Sequence, residues 1–294
     1  MRRVDPDPGR RRAPVREDGG PVDPPPATSA RDPRIVALRE LQRDRGRRDS
    51  EGLAVVDQEA LLLAALEAGC AVASIVEAAD RRGEPAPWRA LLGGAAPIPA
   101  GGDALRALAA LGRLPRVVAA VRRHPEPVGA ASGGLALAGV ADAGNVGTIV
   151  RTAAAFGLPS VTLLPGCADP WGRKALRASQ GAAFSAGLLR RGAGVAALRD
   201  GRGRTAPVLA AVARGGEEPA RLPADAVVLL GAEDEGLSDA DVAACDGRVT
   251  IPADGFESLG VASAAAVLAH ELARARRAVG IAPEPRPRAT GRRA

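Results

Sequence analysis

Asn145–Gly157, NVGTIVRTAAAFG, is the stretch from which the rest of this chain can be read. It follows the apolar run Leu135 to Val140 and the turn Asp142-Ala143-Gly144, and a helical pattern begins near Val146. A strand that passes through a glycine-bearing turn into a helix predicts an α/β unit. Arg151 then stands one to two turns into that helix, at the carboxyl end of a sheet, where open α/β folds bind ligands. Asn145, six residues earlier, marks the junction itself.

Outward from this segment the chain alternates strand and helix. Strands are expected at 135–141, 160–164, 207–212, 226–231 and 248–251, and helices at 146–156, 193–200, 238–244 and 258–278. Such alternation implies a parallel sheet covered on both faces. The last helix sets Glu271, Arg274, Arg276 and Arg277 beside an alanine-rich face suited to close packing. This unit spans 128–280.

Upstream, residues 31–125 form a second, smaller α/β unit. It opens with a short helix from Pro33 and a basic turn, Arg43 to Arg48, followed by a strand Leu53 to Asp57. A helix over 58–68 follows, which Asp57 can cap, then a strand 71–78, a helix 102–111 and a strand 116–123. His124-Pro125-Glu126-Pro127 is a rigid linker. Residues 1–30, crowded with Pro, Gly, Arg and Asp, bury too little apolar area to order a backbone and read as a disordered tail. The segment 281–294 holds four Arg against one Glu and reads as a mobile basic tail.

Composition sets further bounds. The chain has 294 residues, 46% of them hydrophobic, enough for two domains with real cores. Aromatic residues make up only 2%, so a nucleic-acid surface built from stacked rings is unlike this chain, and any such contact leans on Arg and backbone. The net charge is +6, half of it in the last segment, and Lys174 is the only Lys. Abundant Ala, Gly, Pro and Arg together have the look of GC-rich coding, which makes Arg content weak evidence about partners. Cys70, Cys167 and Cys245 form no C-x-x-C pair, which fits a reducing cytoplasm. The two His, His124 and His270, lie outside the motifs and make no ligand set, so no metal is expected. No apolar run reaches the length of a membrane span, and the first residues lack the apolar core of a signal peptide.

Two further segments follow Asn145–Gly157 in order: LLGAEDEGLS, Leu229 to Ser238, and IPADGFESLGVASAAAVLAHEL, Ile251 to Leu272. With all three in place the chain resembles the SpoU/TrmH family of methyltransferases. The resemblance implies a deep trefoil knot in the C-terminal unit, a homodimer, S-adenosylmethionine as cofactor and an RNA ribose 2′-hydroxyl as acceptor, with ribosomal or transfer RNA as partner. It is strong over 130–278 and looser over 32–125, where the first unit is similar to the family's RNA substrate-binding domain.

Residue by residue, the resemblance makes Arg151 catalytic, together with Asn145, Glu233 and Ser258. Gly231, Ile251 and Leu259 match the positions whose main chains hold the cofactor. Lys174 and Arg177, within Asp169 to Ala183, match positions that meet RNA phosphates, and Arg43 and Arg45, with Arg47 and Arg48, match the basic turn of the substrate-binding domain. Plainer readings stand beside these: a turn at Asn145, helix capping by Ser258, core burial of Ile251 and Leu259, and a solvated basic turn around Lys174. The family's usual Ser-Leu-Asn is Ser258-Leu259-Gly260 here, which leaves open an RNA-binding relative that turns over poorly. A third reading, a dinucleotide-dependent oxidoreductase, is disfavoured, because it needs G-x-G-x-x-G after the first strand of a unit and Gly133-Gly134 precedes its strand instead.

Overall fold

The computed structural model describes residues 24–109, 113–130, 133–199, 206–253 and 259–284, and in it the chain builds two sheets. The first contains β1 (Leu53–Val56), β2 (Val72–Ala78), β3 (Ile98–Ala100) and β4 (Val117–Arg122) in the order β1-β4-β2-β3. β4 pairs antiparallel with both β1 and β2, and β3 joins β2 in parallel. Helices α1 (Pro33–Arg43), α2 (Arg45–Glu51), α3 (Glu59–Glu67) and α4 (Gly102–Leu108) flank it. Asp32 starts α1 by accepting from the Arg34 N–H at 2.9 Å, Pro33 fills the first turn, and Ile35, Leu38 and Leu41 turn inward.

Three expectations for this half are corrected. The basic turn is a helix, α2, because Asp44 caps it and Gly52, at φ 64°, ends it in the left-handed region. Asp57 does not cap α3; the cap position is Gln58, which makes no side-chain bond there. Residues 24–30 of the expected disordered tail are placed: Ala27 is fully buried and runs beside β3, its N–H donating to the Pro99 carbonyl at 2.7 Å. The remainder of that segment, 1–23, lies outside the described residues.

The second sheet holds β5 (Leu135–Leu137), β6 (Val161–Leu163), β7 (Leu189–Arg191), β8 (Val208–Ala211), β9 (Val227–Leu230) and β10 (Gly247–Val249). Its order is β10-β8-β9-β5-β6-β7 and every neighbouring pair is parallel. Leu135, Leu137, Val228 and Leu229 are fully buried, as a strand covered on both faces requires. Each such side chain contributes about 2 kcal/mol of transfer free energy. The helices are α5 (Ala143–Ala155), α6 (Arg173–Ser179), α7 (Asp239–Ala243) and α8 (Val261–Ala278). The helix expected at 193–200 is a single 3-10 turn, Val195–Leu198, and β7 and α6 are additions to the expected pattern. None of the described helices is long and apolar enough to cross a membrane.

Chain order β5, β6, β7 runs one way from the centre, and β9, β8, β10 occupy the other side. The order therefore reverses between β5 and β9, and the crevice beyond the carboxyl ends of those two strands is where an open parallel sheet binds ligands. α5 lies against α6 at its closest point through Gly147, where an added Cβ would fall 2.3 Å from the Ala175 carbonyl oxygen. One apolar core runs through both sheets, with Val56, Leu62 and Ile75 in the same cluster as Leu137, Ile149 and Phe184.

α8 begins with Gly260 at its cap position and no side-chain cap bond. Ser258, the expected cap, lies outside the described residues. An added Cβ at Gly260 meets nothing within 4 Å, and its backbone is ordinary at φ −57°. Gly260→Asn is therefore expected to raise unfolding stability by a few tenths of a kcal/mol, about 0.3, read as a higher urea midpoint. The expected mobile tail is corrected over 282–284: Pro283 packs on Gly157 and the Glu284 N–H donates to the Gly157 carbonyl at 3.2 Å. Residues 285–294 lie outside the described residues.

Candidate active site

The site starts from the two strands that border the reversal. Where β5 ends, Asp142 caps α5, its carboxylate accepting the Asn145 N–H at 2.9 Å. Lys174, from α6, also donates to Asp142, and these two donors hold the Asp142 carboxyl below the ordinary carboxylate range, Lys174 contributing most. Where β9 ends, Gly231 leads into a tight turn closed by two hydrogen bonds between Ala232 and Gly236, each 3.1 Å. A Cβ on Gly231 would sit 2.2 Å from the Gly236 carbonyl carbon, so glycine is needed here for the turn to fold back over its own strand. From that turn Glu233 accepts the Asn145 side-chain N–H at 2.8 Å. The first and second motifs thus meet across the crevice.

Beyond the carboxyl ends of β8, β9 and β10 lies a cavity of about 360 Å³, within the usual size of small-molecule sites. Gly231, Glu233, Ile251 and Leu259 line it together with Val249 and Arg214. Four residues of the second and third sequence motifs therefore share one wall. Leu259 is 44% exposed at its mouth. Gly231→Ala, by forcing a methyl into the turn, is expected to cost about 1–3 kcal/mol and to weaken any ligand of the cavity, measured by urea unfolding and calorimetry.

Arg151 lies on α5 six residues beyond Asn145, on a solvent face shared with Thr148 and Ala155. The rest of that helix is packed, with Val146, Ile149, Val150 and Ala153 buried. Among the described residues Arg151 makes no side-chain hydrogen bond or ion pair, so its guanidinium is open to an incoming anion.

Against known proteins, the description "SpoU rRNA Methylase family" matches residues 134–270. A TrmH-family protein from Porphyromonas gingivalis is 31% identical, the match covering 82% of this chain and 96% of that one with a TM-score of 0.67. This chain belongs to the SpoU methylase family. A SpoU methyltransferase from Streptomyces viridochromogenes, solved in complex with AdoMet, is 26% identical, with a TM-score of 0.71 over 84% of this chain and 99% of that one. The 23S rRNA (guanosine(2553)-2′-O)-methyltransferase of Bacillus subtilis is 33% identical over 162 residues, or 54% of this chain. The chain spans 61% of the length of its mycobacterial relatives and 65% of the Bacillus one.

Several basic residues of this SpoU chain already have acidic partners. Arg177 donates to Asp57 at 2.8 Å and Arg173 forms an ion pair with the same carboxylate at 2.9 Å, so Asp57, with its side chain only 5% exposed, ties β1 to α6. Arg48 is buried and bonds both the Leu41 carbonyl and Asp169. Arg47 pairs with Glu40 and Glu51, and Arg45 lies 3.7 Å from Asp49. Arg43 is exposed, and Lys174 keeps 66% of its side chain in solvent while holding Asp142. The linker is pinned as well: Glu126 accepts from Trp171, Arg191 and Arg123, and the Arg123 guanidinium lies 5.3 Å from the Trp171 ring. Of the residues missing from the sequence reading, Asp142 carried a legible signal, an N-cap residue directly before an apolar-periodic run. Arg214 carried none.

Proposed function

We propose that this chain methylates a ribose 2′-hydroxyl of RNA with S-adenosylmethionine, as a homodimer whose cofactor loops form a deep trefoil knot. Residues 31–125 serve as the RNA-binding unit and 128–280 as the methyltransferase unit. The observation that carries the reading is the cavity shared by Gly231, Ile251, Leu259 and Glu233, with Glu233 bonded to Asn145. The AdoMet complex of the Streptomyces relative and the 2′-O activity named for the Bacillus relative support it. Exposed apolar Val267 on α8 supplies surface for a subunit contact.

The residues present fit the cofactor. Gly231 offers main chain, Ile251, Leu259 and Val249 an apolar wall for an adenine, and Glu233, Asp234 and Glu235 carboxylates for a cationic end. When bound, S-adenosylmethionine supplies an electrophilic methyl group that leaves its sulfur for the ribose oxygen. The protein's share is positioning. Asn145 and Glu233 fix the lip of the cavity relative to α5. Arg151 is a poor base, since a guanidinium stays protonated at neutral pH. It clamps an RNA phosphate and stabilises the alkoxide that forms as the hydroxyl loses its proton. Lys174, Arg177, Arg43 and Arg45 add phosphate contacts that position the RNA without reading its sequence. Ser258 completes the set from the segment just before Leu259.

The test is transfer of a tritiated methyl group to bulk RNA, followed by digestion to nucleosides. Label in 2′-O-methylnucleosides supports the reading, and label on bases overturns it. Calorimetric affinity for S-adenosylmethionine without transfer favours the poorly turning-over relative suggested by Gly260.

A further inference from the structure

We infer that Arg214 is a cofactor-binding residue, pairing with the carboxylate of the methionine part of the ligand held in the cavity. The inference rests on the proposed reading of that cavity as the S-adenosylmethionine site. Arg214 is the one cationic side chain among the residues lining it, against three carboxylates, Glu233, Asp234 and Glu235. It makes no hydrogen bond or ion pair among the described residues, although those carboxylates line the same space. A ligand with two cationic groups and a single carboxylate needs this distribution: acidic groups for the sulfonium and ammonium, and one guanidinium for the carboxylate, which it grips with two parallel donors.

The loop that carries Arg214 is built to present it. Residues 212–217 leave the end of β8 and return along the exit of β10. One foot is the Val212 N–H on the Val249 carbonyl at 3.0 Å; the other is the Glu217 N–H on Arg248 at 3.0 Å, with the Thr250 N–H returned to Glu217 at 2.9 Å. The Thr250 hydroxyl joins both sides, accepting from the Gly216 N–H at 2.9 Å and donating to Val212 at 3.1 Å. Gly215, at φ 77°, turns the chain, and a Cβ on Gly216 would lie 2.7 Å from the Val249 carbonyl carbon. A short loop fastened at both ends loses little freedom when its tip binds, so an ion pair made there keeps more of its strength than one between two free surface side chains.

Methyl transfer removes the sulfonium charge and leaves the carboxylate, so Arg214 holds donor and product alike while the acidic turn distinguishes them. Calorimetry on the full chain and on Arg214→Gln tests this with two probes, S-adenosylmethionine and its decarboxylated analogue. Arg214→Gln is expected to weaken S-adenosylmethionine about 10-fold and to leave the analogue within about twofold of the unaltered chain, the size of one charge-assisted hydrogen bond. Equal losses for both probes, or none for either, overturn the assignment. If the unaltered chain binds neither probe, the cavity is not a cofactor site, and both readings fall together. Arg214 is exposed, and an unchanged urea midpoint for the variant removes unfolding as an explanation.

Discussion

Arg151→Ala is expected to lower methyl transfer by about 10²–10³-fold, the usual cost of removing one donor aimed at a developing oxyanion. Cofactor affinity and fold are expected to stay. Arg151 is solvent-facing, lies outside the cavity lining and makes no bond among the described residues, and alanine is the best helix former, so nothing structural is lost. Single-turnover rates with calorimetry on the same preparation decide it. Arg151→Lys is expected to recover only part of the rate, because a point charge replaces a planar fork. Turnover by Arg151→Ala equal to that of the unaltered chain removes Arg151 from its role.

Asp57→Ala carries the largest expected stability cost. Its buried carboxylate faces two guanidiniums, and without it Arg173 and Arg177 are left beside one another. Arg173 is already pushed below the ordinary arginine range, chiefly by burial and further by the charge of Arg177. Removing one partner of such a cluster costs about 3 kcal/mol, seen as a lower urea midpoint. None of the three residues lines the cavity, so S-adenosylmethionine affinity is expected to hold. Unchanged stability would mean that the two Arg find water or RNA as readily as they find Asp57.

These two positions divide what the sequence discloses from what it hides. Strands such as Leu53–Val56 and Leu135–Leu137 are legible because burial on both faces writes them as unbroken apolar runs. α5 is legible from its apolar period, and Gly231, Ile251 and Leu259, which the family resemblance groups, line one cavity. β7 is hidden because two of its three residues are Arg, and β3 because Pro99 sits at its centre. α6 hides behind Gly172 and a run of charges, since its face is chosen by Asp57, 120 residues away in the chain. Local pattern carries no record of such a partner. The same holds for Arg48, a surface turn residue by spacing but buried against Asp169. Arg214 became visible only once β8, β9 and β10 had set their carboxyl ends side by side.

Glu126 has one more consequence. Held by Trp171, Arg191 and Arg123, it fastens the linker just after β4 to the second sheet, and the core shared by the two sheets opposes a hinge between them. A nucleic acid straddling both sheets then meets a platform of fixed span. Under the proposed function, the accommodation then falls to the RNA, which has to bring its target sugar to the methyl donor.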